Sequence, residues 1–112
     1  MDANSIFYVE GYVLITNTGV INNSGTLYVQ NDWINNSVFN VFLNSNPGTV
    51  NFFGANQSIF GVNPTKFYNL VTENFELKSM FVDVWVENKL DITDSEITLN
   101  NNLLQLYNPH PD

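Results

Sequence analysis

The residues that decide the fold lie between positions 21 and 37, which read INNSGTLYVQNDWINNS. The tetrapeptide Ile-Asn-Asn-Ser occurs twice in this stretch, at residues 21–24 and again thirteen residues later at residues 34–37. We interpret both copies as corners, because each is followed by a new β-prone run. Short strands that recur after asparagine-rich corners are typical of a parallel β-solenoid, in which successive turns stack at about 4.8 Å.

The rest of the chain has the same character. Runs rich in β-branched and aromatic residues occupy residues 6–15, 49–53 and 81–86, with Gly11 predicted to bend the first. Asparagine and glycine, which tolerate the left-handed backbone region, fill the intervening turns. The sequence therefore predicts an all-β fold, a parallel β-solenoid (β-helix) segment. A β-sandwich is the alternative, although the Asn-Gly hairpin turns expected of antiparallel strands never occur.

The composition supports stacked corners. Twenty of the 112 residues are asparagine and none is arginine. A neutral amide both donates and accepts hydrogen bonds, so asparagines at equivalent corners can form ladders along the coil, where stacked charges would repel each other. We therefore expect amide ladders at the corners of this protein.

The charge balance excludes several classes of partner. Three lysines stand against eleven carboxylates, which gives a net charge of −8 and no basic footprint for a nucleic acid or an anionic membrane. No apolar run approaches the roughly 20 residues of a membrane-spanning helix, so we expect no membrane insertion. The first five residues lack the basic and apolar regions of a signal peptide.

Five segments carry a resemblance to a known group of proteins. They read GTLYVQNDWINNS at 25–37, GTVNFFG at 48–54, NQSIFG at 56–61, FYNL at 67–70 and VWVENKLDI at 84–92. In this order they resemble the repeat-rich, type IX-secreted surface and adhesin-like proteins of Bacteroidetes, with Ser37 where those proteins typically have glycine. The resemblance implies a secreted or cell-surface location. It also implies that residues 1–112 form one β domain within a larger repetitive protein, with adjacent repeats as partners.

The aromatic residues suggest a candidate ligand-binding site. Trp33, Tyr28 and Tyr12 lie on runs that alternate with polar residues, so we expect some of them to face solvent and stack on sugar rings. Packing in the core is the competing interpretation of Trp33. A carbohydrate-binding β-sandwich module that uses exposed aromatics is accordingly the alternative to a structural module.

The acidic residues suggest a candidate calcium site. Asp91, Asp94 and Glu96 place three carboxylates within six residues, although the spacing is neither that of an EF-hand nor that of a glycine-rich calcium repeat. The competing interpretation is a solvated turn whose charges discourage pairing with other strands. We expect no other cofactor.

These observations favour a protein without enzymatic activity. The single histidine, His110, lies between two prolines near the end of the chain, where no third group can hold it for catalysis. We predict a non-catalytic structural or adhesive module. The open ends of a coil expose unpaired strands, so end-to-end self-association is expected, with surface glycans as a further class of partner.

Overall fold

Eleven short strands and no helix make up the part of the chain that the computed structural model describes, which is residues 4–38, 41–42, 48–73, 77–92 and 95–106. The strands are β1 (Ile6–Val9), β2 (Val13–Asn17), β3 (Thr26–Val29), β4 (Trp33–Ser37), β5 (Thr49–Phe52), β6 (Gln57–Gly61), β7 (Thr65–Thr72), β8 (Leu77–Met80), β9 (Val84–Asp91), β10 (Glu96–Thr98) and β11 (Leu104–Leu106).

The strands form two parallel sheets. One sheet, which we call the odd sheet, has the order β1-β3-β5-β7-β9-β11, and the other, the even sheet, has the order β2-β4-β6-β8-β10. Each turn of the chain contributes one strand to each sheet, and every strand pairs in parallel with the strand two places along. The predicted all-β parallel β-solenoid is confirmed. The alternative β-sandwich is wrong, because hairpin-connected antiparallel strands are absent from the described residues.

The turns of the coil are longer than the thirteen residues that separate the two copies of Ile-Asn-Asn-Ser. In the odd sheet Ile6 lies beside Thr26, Thr26 beside Thr49 and Thr49 beside Asn69, so these turns take 20, 23 and 20 residues. The thirteen-residue recurrence therefore does not place equivalent residues on top of each other.

The two copies of Ile-Asn-Asn-Ser also differ in structure. Ile21 of the first copy makes only an isolated parallel bridge to Phe42, whereas residues 34–37 of the second copy belong to β4. The prediction of a corner at residues 34–37 is therefore wrong. In contrast, Gly11 does lie in a corner, between β1 and β2, as predicted.

The core fills the space between the two sheets. Residues alternate between inward and outward positions along each strand, so Leu27 and Val29 of β3 are buried while Tyr28 between them faces outward. The buried apolar side chains form one cluster: Ile15, Leu27, Val29, Trp33, Val41, Val50, Phe52, Ile59, Phe67, Leu70, Met80, Val84 and Val86.

Close stacking of the turns requires glycine at position 54. A Cβ atom on Gly54 would collide with the backbone carbonyl of Gln30 in the preceding turn. At Gly11, a Cβ atom would have no neighbour within 4 Å. The backbones of consecutive turns therefore approach closely at Gly54, whereas the position of Gly11 has space for a side chain.

We predict that Gly54→Ala destabilises the protein by about 3 kcal/mol, the upper range for overpacking, because the obstructing atom is backbone and cannot rotate away. Gly11→Ala is the matched control and should change the free energy of unfolding by less than about 0.5 kcal/mol. Urea denaturation followed by circular dichroism measures both values. Equal stabilities of the two variants would contradict the close approach at Gly54.

Candidate functional site

A lysine and a glutamine on neighbouring turns form a buried polar junction. Gln57 begins β6 and Lys78 lies beside it in β8, and the two side chains are only 2% and 1% exposed. The Lys78 ammonium donates to Gln57 Oε1 at 2.8 Å, to the Gly54 carbonyl at 2.6 Å and to the Ala55 carbonyl at 3.0 Å. Three oxygen acceptors thus replace water around the buried ammonium.

Gln57 extends the junction to a third turn. Its Nε2 donates to the carbonyls of Val29 and Asn31, at 2.9 and 2.6 Å, and its Oε1 also accepts from the Gly54 N–H at 2.9 Å. The amide therefore uses both of its donors and accepts two hydrogen bonds. Through this amide and the Lys78 ammonium, β3, β6 and β8 and their corners are joined by side chains as well as by strand pairing.

Other corners are joined in the same way. Asn31 Nδ2 donates to the Glu10 carbonyl of the preceding turn at 2.7 Å. Asp32 Oδ1 accepts the Ser58 N–H of the following turn at 2.9 Å, and Asp83 Oδ1 accepts the Leu103 N–H at 2.8 Å. Each of these side chains hydrogen-bonds to backbone that lies 20 to 26 residues away. We call these contacts corner bonds.

Two asparagines make such bonds from buried positions. The Asn23 and Asn35 side chains are 1% and 0% exposed, and each Oδ1 accepts the N–H of the residue two places ahead, at 3.0 and 2.9 Å. Each Nδ2 donates to a carbonyl on another turn, that of Thr49 or Pro64. Asn35 can therefore lie inside strand β4, because its buried amide both donates and accepts a hydrogen bond.

The expected amide ladders are a minor feature. Asn88 Nδ2 donates to Asn69 Oδ1 at 2.8 Å, which joins two amides on neighbouring turns. The asparagines described above instead contact backbone groups. Among the residues that the structure describes, the corner amides therefore serve mainly as connectors to the neighbouring main chain.

Trp33 lies in the core, which corrects its prediction as a sugar-binding residue. Its side chain is 0% exposed and packs against Phe42, Phe52 and Phe67, with ring centroids 5.2–6.0 Å apart. Its Nε1 donates to the Thr65 hydroxyl at 3.0 Å, which satisfies the polar end of the indole. The β4 alternation places Trp33 inward with Asn35 and Ser37.

The other two candidate aromatic residues lie apart from the core. Tyr28 faces outward from the odd sheet and stacks on Tyr8, with ring centroids 4.6 Å apart and planes at 15°. Phe53 packs edge-on against both rings. One face of Tyr28 is therefore occupied by Tyr8, whereas Tyr12 is 62% exposed in the first corner. The structure does not assemble Trp33, Tyr28 and Tyr12 into one surface.

The candidate calcium ligands are described only in part. Asp91 ends β9 and Glu96 begins β10, while Asp94 lies outside the described residues. Within the described ranges, no three aspartate, glutamate, histidine or cysteine side chains are grouped as metal ligands would be. The calcium site stays a prediction.

The outer face of the even sheet carries an apolar stripe, which we define as Leu14, Ile34, Phe60 and Phe81. Leu14 pairs with Ile34, and Ile34 pairs with Phe60. The Phe81 N–H donates to the Ile59 carbonyl, which places Phe81 beside Phe60 on the following turn. Leu14 and Phe81 are 47% and 57% exposed. Sequence alternation indicates that each residue faces outward, but the turn length that aligns them is not evident from the sequence.

The junction of Gln57 and Lys78 was not predicted from the sequence, although a signal for it exists. Gln57 lies two residues before Ile59, and Lys78 lies two residues before Met80. Period-two alternation therefore assigns each polar residue to the inward face of its strand. A lysine or a glutamine is not expected to be buried unless it has a hydrogen-bonding partner. Only the register of β6 against β8 shows that Gln57 and Lys78 are partners of each other.

Comparisons with protein-family models, with curated proteins and with solved structures give no match to this chain. In the ranges that the structure describes, no helix is long and apolar enough to cross a bilayer. The resemblance to bacterial surface proteins therefore stays a prediction from sequence segments.

We predict that Lys78→Met lowers the free energy of unfolding by about 2–4 kcal/mol, because it leaves buried carbonyl oxygens without a donor. Lys66→Met is the control, since Lys66 contacts Glu87 at 3.7 Å in a partly exposed ion pair and should contribute less than about 1 kcal/mol. Chemical denaturation of both variants measures the difference. A Lys78→Met variant as stable as the parent would contradict a structural role for the junction.

We also predict that Trp33 is inaccessible to solvent. In a Trp85→Phe variant, the remaining indole should emit at short wavelength and resist quenching by acrylamide. The reciprocal Trp33→Phe variant reports Trp85, which is 38% exposed and should be quenched readily. Efficient quenching of Trp33 in the folded protein would restore it as a candidate ligand-binding residue.

Proposed function

We propose that this chain is a non-catalytic structural and adhesive module of a secreted or cell-surface bacterial protein. In this proposal it forms a stretch of β-solenoid that stacks on adjacent repeats and presents a flat face to its surroundings. The secreted or surface location rests on the resemblance of the sequence segments at residues 25–92.

The corner bonds carry this proposal. Polar groups of the kinds used in catalysis, such as the Lys78 ammonium and the Asp32 and Asp83 carboxylates, hydrogen-bond to the backbone of neighbouring turns. A carboxylate or an ammonium with these partners stabilises the coil, because it satisfies backbone groups of the neighbouring turn. The polar chemistry of the chain thus supports a structural role.

The apolar stripe supports the adhesive part of the proposal. Contiguous exposed apolar residues on a flat surface mark interaction sites more often than scattered ones do. The four stripe residues are apolar and neighbour one another across the even sheet, with Leu14 and Phe81 about half exposed. We propose the even sheet as the contact face, with apolar or glycan-coated surfaces as its targets.

The carbohydrate-binding β-sandwich is not retained as an alternative. The fold is a solenoid, and Trp33, the main aromatic residue of that hypothesis, is enclosed in the core.

Adhesion under flow tests the proposed function. Beads carrying the folded chain should adhere to octyl-coated or glycan-coated glass, and a Leu14→Ser/Phe81→Ser variant should lose at least half of that adhesion. Trp85→Ser is the control, because Trp85 is an exposed aromatic residue on the outer face of the odd sheet. Circular dichroism establishes that all variants are folded. Equal loss in the control, or no adhesion by the parent chain to either surface, would overturn the adhesive role.

A further inference from the structure

We propose that the outer face of the even sheet binds an extended, neutral polysaccharide whose chain runs along the axis of the coil. The proposal rests on the proposed function, in which the even sheet is the contact face, and adds the chemical class and the orientation of the ligand. It is carried by two parallel columns of side chains, one polar and one apolar, that cross the turns of the coil.

A column of hydroxyl groups lies beside the apolar stripe. Ser58 of β6 pairs with Ser79 of β8, and Ser79 pairs with Thr98 of β10. Ser58 and Ser79 each stand between two buried residues of their strand, so both side chains face outward. Thr98 follows Ile97, which packs against the core, and therefore faces outward as well. We call these three residues the hydroxyl column.

The hydroxyl column and the apolar stripe keep a constant separation. Ser58 lies two residues before Phe60, and Ser79 lies two residues before Phe81. Two residues of a strand span about 7 Å, and neighbouring strands lie about 4.8 Å apart. Each of these two turns therefore presents one hydroxyl and one aromatic ring, repeated at the spacing of the strands.

This arrangement matches the chemistry of a sugar chain. A pyranose ring has an apolar face of C–H groups and a rim of hydroxyl groups. Phe60 and Phe81 supply apolar surface for the ring faces, and the hydroxyl column supplies groups that both donate and accept hydrogen bonds. In an extended β-linked chain, each sugar residue advances by nearly the spacing of two neighbouring strands. A chain along the coil axis therefore meets the same pair of contacts at each turn.

The hydroxyl column is available to such a ligand. In the part of the chain that the structure describes, none of the three hydroxyls hydrogen-bonds to another protein group. The contact between Ser58 and Asp32 uses the Ser58 backbone N–H and leaves its hydroxyl unused. These groups can therefore exchange water for sugar hydroxyls without breaking a bond inside the protein.

The charge of the face favours an uncharged ligand. The Asp32 carboxylate lies next to Ser58, at one end of the hydroxyl column. Lys78 is the one lysine on an even-sheet strand among the described residues, and its side chain is buried inside the coil. A polysaccharide with carboxylate or sulfate groups meets a carboxylate here and no lysine on these strands, so a neutral chain is the better match.

The size of the face favours a single chain over a folded protein. Five strands at about 4.8 Å cover about 20 Å along the axis, and strands of three to five residues give a width of about 10–17 Å. The described face thus offers on the order of 300 Å², whereas a standard protein interface needs about 800 Å² from each partner. At one sugar residue per interval between strands, about four sugar residues fit along it.

Affinity electrophoresis through a native gel that contains a soluble polysaccharide tests the proposal. Hydroxyethylcellulose is the neutral probe, because its β-linked glucose backbone is extended, and carboxymethylcellulose is the anionic probe with the same backbone. The mobility of the parent chain at several probe concentrations gives a dissociation constant for each. Hydroxyethylcellulose should retard the parent chain, and carboxymethylcellulose should bind at least fivefold more weakly.

Free sugars of increasing length test the orientation of the chain. Cellotetraose is long enough to contact every turn of the apolar stripe, so it should release the protein from hydroxyethylcellulose at a concentration at least tenfold lower than cellobiose does. Glucose should not release it. Equal competition by glucose and cellotetraose would overturn the placement along the axis.

Variants of the two columns test the contacts. Ser79→Ala removes the central hydroxyl and leaves the apolar stripe intact, so it should weaken binding of hydroxyethylcellulose about threefold to tenfold, the loss of one hydrogen bond. Phe81→Ser should abolish binding. Thr26→Ala is the matched control, because Thr26 carries a half-buried hydroxyl on the outer face of the odd sheet, and it should bind as the parent does. Circular dichroism establishes that all three variants are folded.

Four results would overturn the proposal: no retardation of the parent chain by hydroxyethylcellulose, stronger retardation by carboxymethylcellulose, equal binding by Ser79→Ala and Thr26→Ala, or a dimer of the parent chain that Phe81→Ser dissociates. The last would identify the face as a protein interface. Adhesion to octyl-coated glass needs only the apolar stripe. A chain that adheres to octyl-coated glass but is not retarded would therefore overturn this proposal alone and leave the proposed function in place.

Discussion

Hydrogen bonds from corner side chains to the backbone of the neighbouring turn are the interactions on which this structure depends. Strand pairing satisfies the main chain only where strands lie side by side, and the strands here are three to eight residues long. At the corners the backbone N–H and C=O groups lose those partners while the turns remain tightly stacked. A buried group without a partner costs about 1–3 kcal/mol, so each corner needs a side chain that reaches the next turn.

This requirement accounts for the unusual composition. Asparagine is short enough to fit between stacked turns, carries both donors and an acceptor, and has no charge to repel its neighbours. Asn23 and Asn35 use these properties from inside the coil, and Asn31 does so at the surface. Lys78 is the one buried cation among the residues that the structure describes. Its ammonium has three acceptors, Gln57 Oε1 and two backbone carbonyls, whereas one asparagine side chain offers a single acceptor oxygen.

Much of the architecture was predictable because it depends on local patterns. Period-two alternation and asparagine-rich turns indicated short strands and a stacked, parallel coil, and both are present. The turn length was not predictable, because the Ile-Asn-Asn-Ser recurrence suggested thirteen residues, while paired residues on successive turns lie 19 to 26 residues apart. Register, and with it the neighbours of every side chain, follows from turn length.

The errors at individual residues share that cause. Trp33 was a candidate for the surface because its run contains polar residues, but the polar residues Asn35 and Ser37 are themselves buried with it in β4. Lys78 was not considered because burial of a lysine is understandable only once Gln57 is known to lie on the adjacent turn. The outer stripe of the even sheet likewise becomes continuous only when Leu14, Ile34 and Phe60 are aligned.

The central claim is that corner bonds protect backbone groups that no strand partner reaches. Amide hydrogen exchange measured by NMR tests this at Ser58, Leu77 and Leu103, whose N–H groups are accepted by the side chains of Asp32, Asn56 and Asp83 of the preceding turn. We predict that these three amides exchange on the same slow timescale as the amides of the central strands β3 and β5. Exchange as fast as that of the exposed Gly11 corner would contradict the claim that corner bonds hold the turns together.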